Sequence, residues 1–107
     1  MINEERIRLE QRITMMFVQA LLNAGYAIDV DDGEEIILRG STEFETIHAA
    51  MFSTDENVVS ARSKYSFGSM LFVYGNDPHE VLSDYSMTLA EFLAPVEKYV
   101  EELFNAS

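Results

Sequence analysis

The stretch "VYGNDPHEVLSDYS", residues 73–86, holds the densest set of side chains able to do chemistry. Asp77, His79, Glu80 and Asp84 could offer hard oxygen ligands and one imidazole to manganese, iron or zinc. Their spacing matches no ligand motif: there is no His-Glu-x-x-His, and no calcium loop with its central glycine and closing glutamate. The competing reading is a turn. Gly75, Asn76, Asp77 and Pro78 are residue types that supply turn backbone angles, while Val81, Leu82 and Tyr85 return the chain to a core. We read the stretch as a turn, keep the four-residue metal site as the alternative, and expect no cofactor.

Other catalytic constellations have less support. Serines 60, 63, 66, 69, 83 and 86 lack a Gly-x-Ser-x-Gly setting, and only two histidines are present to act as a base. No glycine-rich loop opens a helix to cradle a phosphate. Neighbouring carboxylates such as Glu34 and Glu35, or Glu101 and Glu102, read as solvated faces. The expectation is a protein that is not an enzyme.

Charge is the strongest global signal. Nineteen acids against seven bases give a net charge of −12 over 107 residues. The first dozen residues are balanced, with Glu4, Glu5 and Glu10 against Arg6, Arg8 and Arg12, so the excess lies downstream. Between Asp29 and Glu56 the only base is Arg39, and from Asp77 onward it is Lys98. Binding a phosphate backbone requires the opposite sign, which excludes nucleic acid as a direct ligand. An acidic surface either aids solubility or meets a basic partner. Candidate residues for such a partner are Asp29, Asp31, Asp32, Glu34, Glu35, Glu43 and Glu45.

The elements that must position these groups follow from periodicity. Leu9, Ile13, Met16, Phe17, Ala20, Leu21 and Ala24 recur at helical steps, which predicts a helix over residues 3–24 stopped by Gly25. "YAIDVDDGEEIILRG" reads as a hairpin with a three-residue loop, Asp31-Asp32-Gly33, the glycine left-handed. That register pairs Ile28 with Ile36 and Tyr26 with Leu38. Thr42 and Glu45 have capping-box spacing before a short helix over 42–52, whose apolar face is Phe44, Ile47 and Met51, with His48 beside it as a packed core-edge residue. A second hairpin follows, with one arm over Val58 to Arg62, a turn near Ser63 to Ser66, and an arm from Phe67 to Tyr74 that is apolar on both sides. "VLSDY" is a candidate fifth strand. Thr88 and Glu91 repeat the capping spacing before a final amphipathic helix that Pro95 either kinks or delays to near Ala94.

The predicted fold is therefore α+β, in the order α-β-β-α-β-β-(β)-α, one domain with an antiparallel sheet and helices mainly on one face. There are no cysteines, which excludes disulfides and thiolate chemistry. "MINEERIRLEQR" alternates charges where a signal peptide needs a basic start and an apolar run, and no apolar run approaches membrane-spanning length. A cytoplasmic protein with no membrane contact is expected.

The segments "ALLNAGYAIDVDDGEEIIL", "AAMFSTDEN" and "LFVYGNDPHEVLSDYSMTLAEFLAPVEKYVEEL" resemble a group of small proteins carried by phages, prophages and plasmids, through "YGND", then "SDY", then an amphipathic helix. Members of that group tend to have Gly-Trp where this chain has Pro78-His79. The resemblance implies a mobile-element origin and an accessory role in a host cell, and brings no catalytic residues with it. Together these readings favour a noncatalytic protein that binds a basic host or phage protein, including as an inhibitor that occupies a basic surface. The alternatives are the metal site at residues 77–84 and a homodimeric structural protein built on the doubly apolar strand.

Overall fold

The computed structural model of the chain describes residues 3–75 and 77–105, apart from the side chains of residues 3 and 79. Helix α1, Asn3–Asn23, is the longest element. It ends because Gly25 takes φ +90°, a conformation that costs glycine little. The Gly25 N–H then donates to the Leu22 carbonyl and the Tyr26 N–H to the Leu21 carbonyl, at 3.0 Å each. The buried face follows the predicted stripe only in part: Ile13, Phe17 and Leu21 are buried, whereas Leu9, Met16 and Ala20 are half-buried and Ala24 is exposed. It runs through Glu10, Ile13, Thr14, Phe17, Val18 and Leu21, with Met15 also buried, so the helix is rolled by about one residue toward Glu10, Thr14 and Val18. Two polar residues tolerate burial there because both are bonded. Thr14 Oγ1 donates to the Glu10 carbonyl at 2.7 Å, and the Glu10 carboxylate accepts the Gly75 N–H at 2.7 Å.

Strands β1, Ala27–Asp31, and β2, Ile36–Ser41, form the first hairpin. Its register differs from the expected one: Val30 lies opposite Leu38, Ile28 opposite Ser41 and Asp31 opposite Ile36, with two irregularities between them. The predicted pairs of Ile28 with Ile36 and of Tyr26 with Leu38 do not form. Side-chain bonding in the loop explains the difference. Asp31 Oδ1 accepts the Gly33 N–H, and Asp32 Oδ1 accepts those of Glu34 and Glu35. Closure by the Asp32 N–H on the Glu35 carbonyl leaves four residues between the paired ends. Gly33 is left-handed, as expected, at φ +100°.

Helix α2, Phe44–Ala50, carries the chain from β2 over β1 to β3, Glu56–Arg62. Its capping box does not form. Glu43 is the N-cap, and its carboxylate accepts the Thr46 hydroxyl instead. β3 and β4, Phe67–Val73, pair along their whole length around a turn closed by the Ser63 N–H on the Ser66 carbonyl. A single 3-10 turn, Pro78–Glu80, leads to β5, Leu82–Tyr85, the fifth strand. A second 3-10 turn, Met87–Leu89, precedes α3, Ala90–Asn105. Here too the capping box fails, since Thr88 Oγ1 donates to the Phe67 carbonyl and binds this turn to β4. α3 runs through Pro95 from Ala90, so the proline does not delay the helix to Ala94.

The sheet is antiparallel throughout, in the order β2-β1-β3-β4-β5. One face carries Ile28, Val30, Val59, Ala61, Met70 and Phe72 into a core shared with α1, α2 and α3. The other face carries Asp29, Asp31, Val58, Ser60, Ser69, Leu71 and Val73, none of them buried. This is the α+β architecture with helices on one face. No helix among the described residues is long and apolar enough to cross a membrane.

Candidate functional site

Antiparallel strands bring alternate loops to the same end of a sheet. The end of β1, the starts of β2 and β3, the end of β4 and the start of β5 all meet at one end here. Three connections lie there: residues 31–35, 51–56 and 74–81. They hold Asp31, Asp32, Glu34, Glu35, Asp55, Glu56, Asp77 and Glu80, with no lysine or arginine among them.

Direct bonds tie the three connections together. Thr54 Oγ1 donates to the Asp32 carbonyl at 2.7 Å, and the Tyr74 N–H donates to the Asp55 carbonyl at 2.9 Å. Asn57, fully buried at the start of β3, is the common partner. Its Nδ2 donates to the Asp31 carbonyl at 3.0 Å, and its Oδ1 accepts the Phe52 N–H at 3.1 Å and the Tyr74 hydroxyl at 2.7 Å. Phe52 has φ +71°, an uncommon backbone state outside glycine, and its ring lies 5.1 Å from that of Tyr74. Burial, reinforced by the nearby Glu10 charge, pushes the Tyr74 phenol well above its ordinary range. The N–H groups of Glu35 and Glu34 hold the Asp32 carboxyl below the usual carboxylate range.

Between α1 and these loops is a cleft of about 240 Å³ lined by Arg6, Glu10, Phe52, Thr54, Asp55, Tyr74 and Gly75 among others. Arg6 Nε is buried at its edge with no hydrogen-bond partner among the described residues. A shallower apolar groove of about 400 Å³ lies between α1 and α2, where Met15, Met16, Phe44 and His48 line it. His48 is exposed and stacks on Phe44, with Phe52 edge-on at 5.8 Å. It is an exposed helix-edge aromatic rather than the packed core-edge residue expected.

The seven acidic candidates do not form one patch. Asp31, Asp32, Glu34 and Glu35 share the loop end, where the first two also shape the backbone. Asp29 is mostly taken up, pairing with Arg62 at 3.1 Å and accepting the Gly40 N–H at 2.6 Å. Glu43 and Glu45 lie beyond the far end of β2, about 20 Å from the loop at extended-strand rise. The acids that complete the patch, Asp55 and Glu56 with Asp77 and Glu80, fall in the two other connections.

The four metal candidates fall in two places, the bend and β5. Asp77 and Glu80 belong to the bend, while Asp84 sits in β5 opposite Leu71 and accepts its neighbour's N–H. The side chain of His79 lies outside the described residues, as does Asn76. No group of three or more histidine, aspartate or glutamate side chains able to hold a metal is present among the described residues. The bend is anchored by Gly75 on Glu10, by buried Pro78 and Val81, and by the Glu80 N–H on the Asp77 carbonyl.

Buried Glu10 and the Asn57–Tyr74 pair were missed from the sequence, although a signal existed for the two buried residues. Asn57 shares strand parity with Val59 and Ala61, and Glu10 stands one helical turn before Ile13 and Thr14. Comparison with known proteins gives no match to a family model, a curated protein or a solved structure.

Proposed function

We propose that this is a noncatalytic protein that acts by binding a basic surface of another protein, in the host cytoplasm and as an accessory product of a mobile element. The observation that carries this reading is the convergence of eight carboxylates from three loops at one end of the sheet, with no lysine or arginine in those loops. Opposed charge of this kind steers encounter and sets register with a basic partner. The preorganised aspartates reduce the ordering cost of binding. A basic groove that otherwise holds nucleic acid is a natural target for an inhibitor of this charge, because it is built to accept closely spaced negative groups.

The test is capture from host lysate at low and at high salt, in parallel with Glu34→Lys/Glu35→Lys, two exposed positions that no hydrogen bond of the loop requires through its side chain. A basic protein retained at low salt, released at high salt and lost with the double variant is the expected result. Recovery of no basic protein under either condition removes the proposal.

A further inference from the structure

The uncovered face of the sheet has a pattern that the loops alone do not explain. In direct register across β1, β3, β4 and β5 stand Asp31, Val58, Leu71 and Asp84, and the adjacent row begins with Glu56 opposite Val73. Val58, Leu71 and Val73 thus sit together over this end of β3 and β4, with a carboxylate at either side and a third at the end, while Phe67 and Arg62 stand on the same face at the other end. A solvent-facing sheet surface is ordinarily polar. Neither Asp31 nor Asp84 has a cation within ion-pair distance among the described residues, since the ion pair on this face joins Arg62 to Asp29.

We infer that this face docks a cationic amphipathic helix of the partner protein, laid along β3 and β4 with its apolar stripe on Val58, Leu71 and Val73 and its basic flanks on Asp31 and Asp84. This rests on the proposed function and specifies its partner. The geometry suits that occupant: three inter-strand steps put Asp31 and Asp84 about 14 Å apart, and a helix with its side chains is about 10–12 Å across. Lysine or arginine on either flank therefore reaches a carboxylate while the stripe covers the apolar centre. A second copy of this chain fits poorly. A two-fold axis in the plane of the face, along or across the strands, would set Asp31 and Asp84 against the same carboxylates of the second copy, in a molecule of net charge −12.

The experiment is an amide-resolved NMR titration of the full chain with three synthetic peptides of about 18 residues, five helical turns. One is an amphipathic leucine/lysine helix, the second has the same composition scrambled to destroy the stripe, and the third is the leucine/glutamate counterpart. The expected result is shifts at residues 58, 71, 73 and 84 with the first peptide, at least about tenfold weaker binding of the second, and none of the third. Asp84→Asn/Glu56→Gln, at two exposed positions, should weaken the first peptide about tenfold with an unchanged free spectrum. Val58→Ser/Leu71→Ser should do the same. Shifts confined to residues 32–35 and 55 would overturn the docking face while leaving the acidic end intact, and so would equal binding of the scrambled peptide. No response to either cationic peptide would count against both readings. A free protein that sediments as a dimer through this face would overturn the inference as well.

Discussion

Asn57 concentrates much of the acidic end in one side chain. It fills three hydrogen-bonding roles with no exposure, and one partner is the backbone of Phe52 in a strained conformation. Asn57→Ala leaves the part-buried Phe52 N–H and Tyr74 hydroxyl without their acceptor, so unfolding in urea should show a loss of about 1–3 kcal/mol. Gly68 illustrates a different constraint, because a Cβ there would lie 2.6 Å from Leu89 Cγ. Gly68→Ala should cost about 1–3 kcal/mol by the same measurement. Tyr74 gives a pH signature. Its folded pKa is raised, so the stability it contributes is complete below about pH 10, where the unfolded phenol begins to ionise, and declines as pH rises further. Tyr74→Phe should flatten that alkaline decline in melts recorded from neutral pH upward. Asp32 acts in the opposite window. Its folded pKa is lowered, so its contribution is present above about pH 4 and is lost as pH falls through the folded value. Asp32→Asn keeps the turn acceptor and should shallow the acid limb.

Among the elements, α3 carries an interior cost. Pro95 removes a backbone donor in the second turn and is exposed, so no packing requires it. Pro95→Ala should raise the unfolding free energy by about 1–2 kcal/mol. Both capping-box predictions failed, each for its own reason. Thr42 lies one residue before the N-cap, which is Glu43, whereas Thr88 is claimed by the Phe67 carbonyl. The spacing was legible, but the exact helix start and an acceptor on a distant strand were not. The β1–β2 register failed similarly, because alternation of Ile28, Ile36 and Leu38 gave no weight to two aspartates bonding their own loop.

For the molecule as a whole, net charge is the governing quantity. At −12 the folded state repels itself, and added salt screens that repulsion over a Debye length that shrinks to about 3 Å at 1 M. Thermal melts should therefore move upward with sodium chloride, whereas partner binding should weaken over the same range. The two trends in opposite directions separate self-repulsion from recognition. A chain whose acids were already compensated by internal ion pairs would show neither.

Composition and periodicity were enough to establish the α+β order, the second hairpin with its turn, the fifth strand and the excess of acids, because these depend on short-range alternation and on simple counting. They could not establish which acids act together. Asp31, Asp55 and Asp77 are separated by more than twenty residues at each step, and only antiparallel pairing folds their loops onto one end. The burial of Glu10 was marked only by its place one helical turn before Ile13 and Thr14, and it becomes tolerable only when Gly75, from the β4–β5 connection, donates to it. Local pattern reports what a segment can form, whereas partners for its polar groups come from segments distant in the chain, and those partners fix the register and the site.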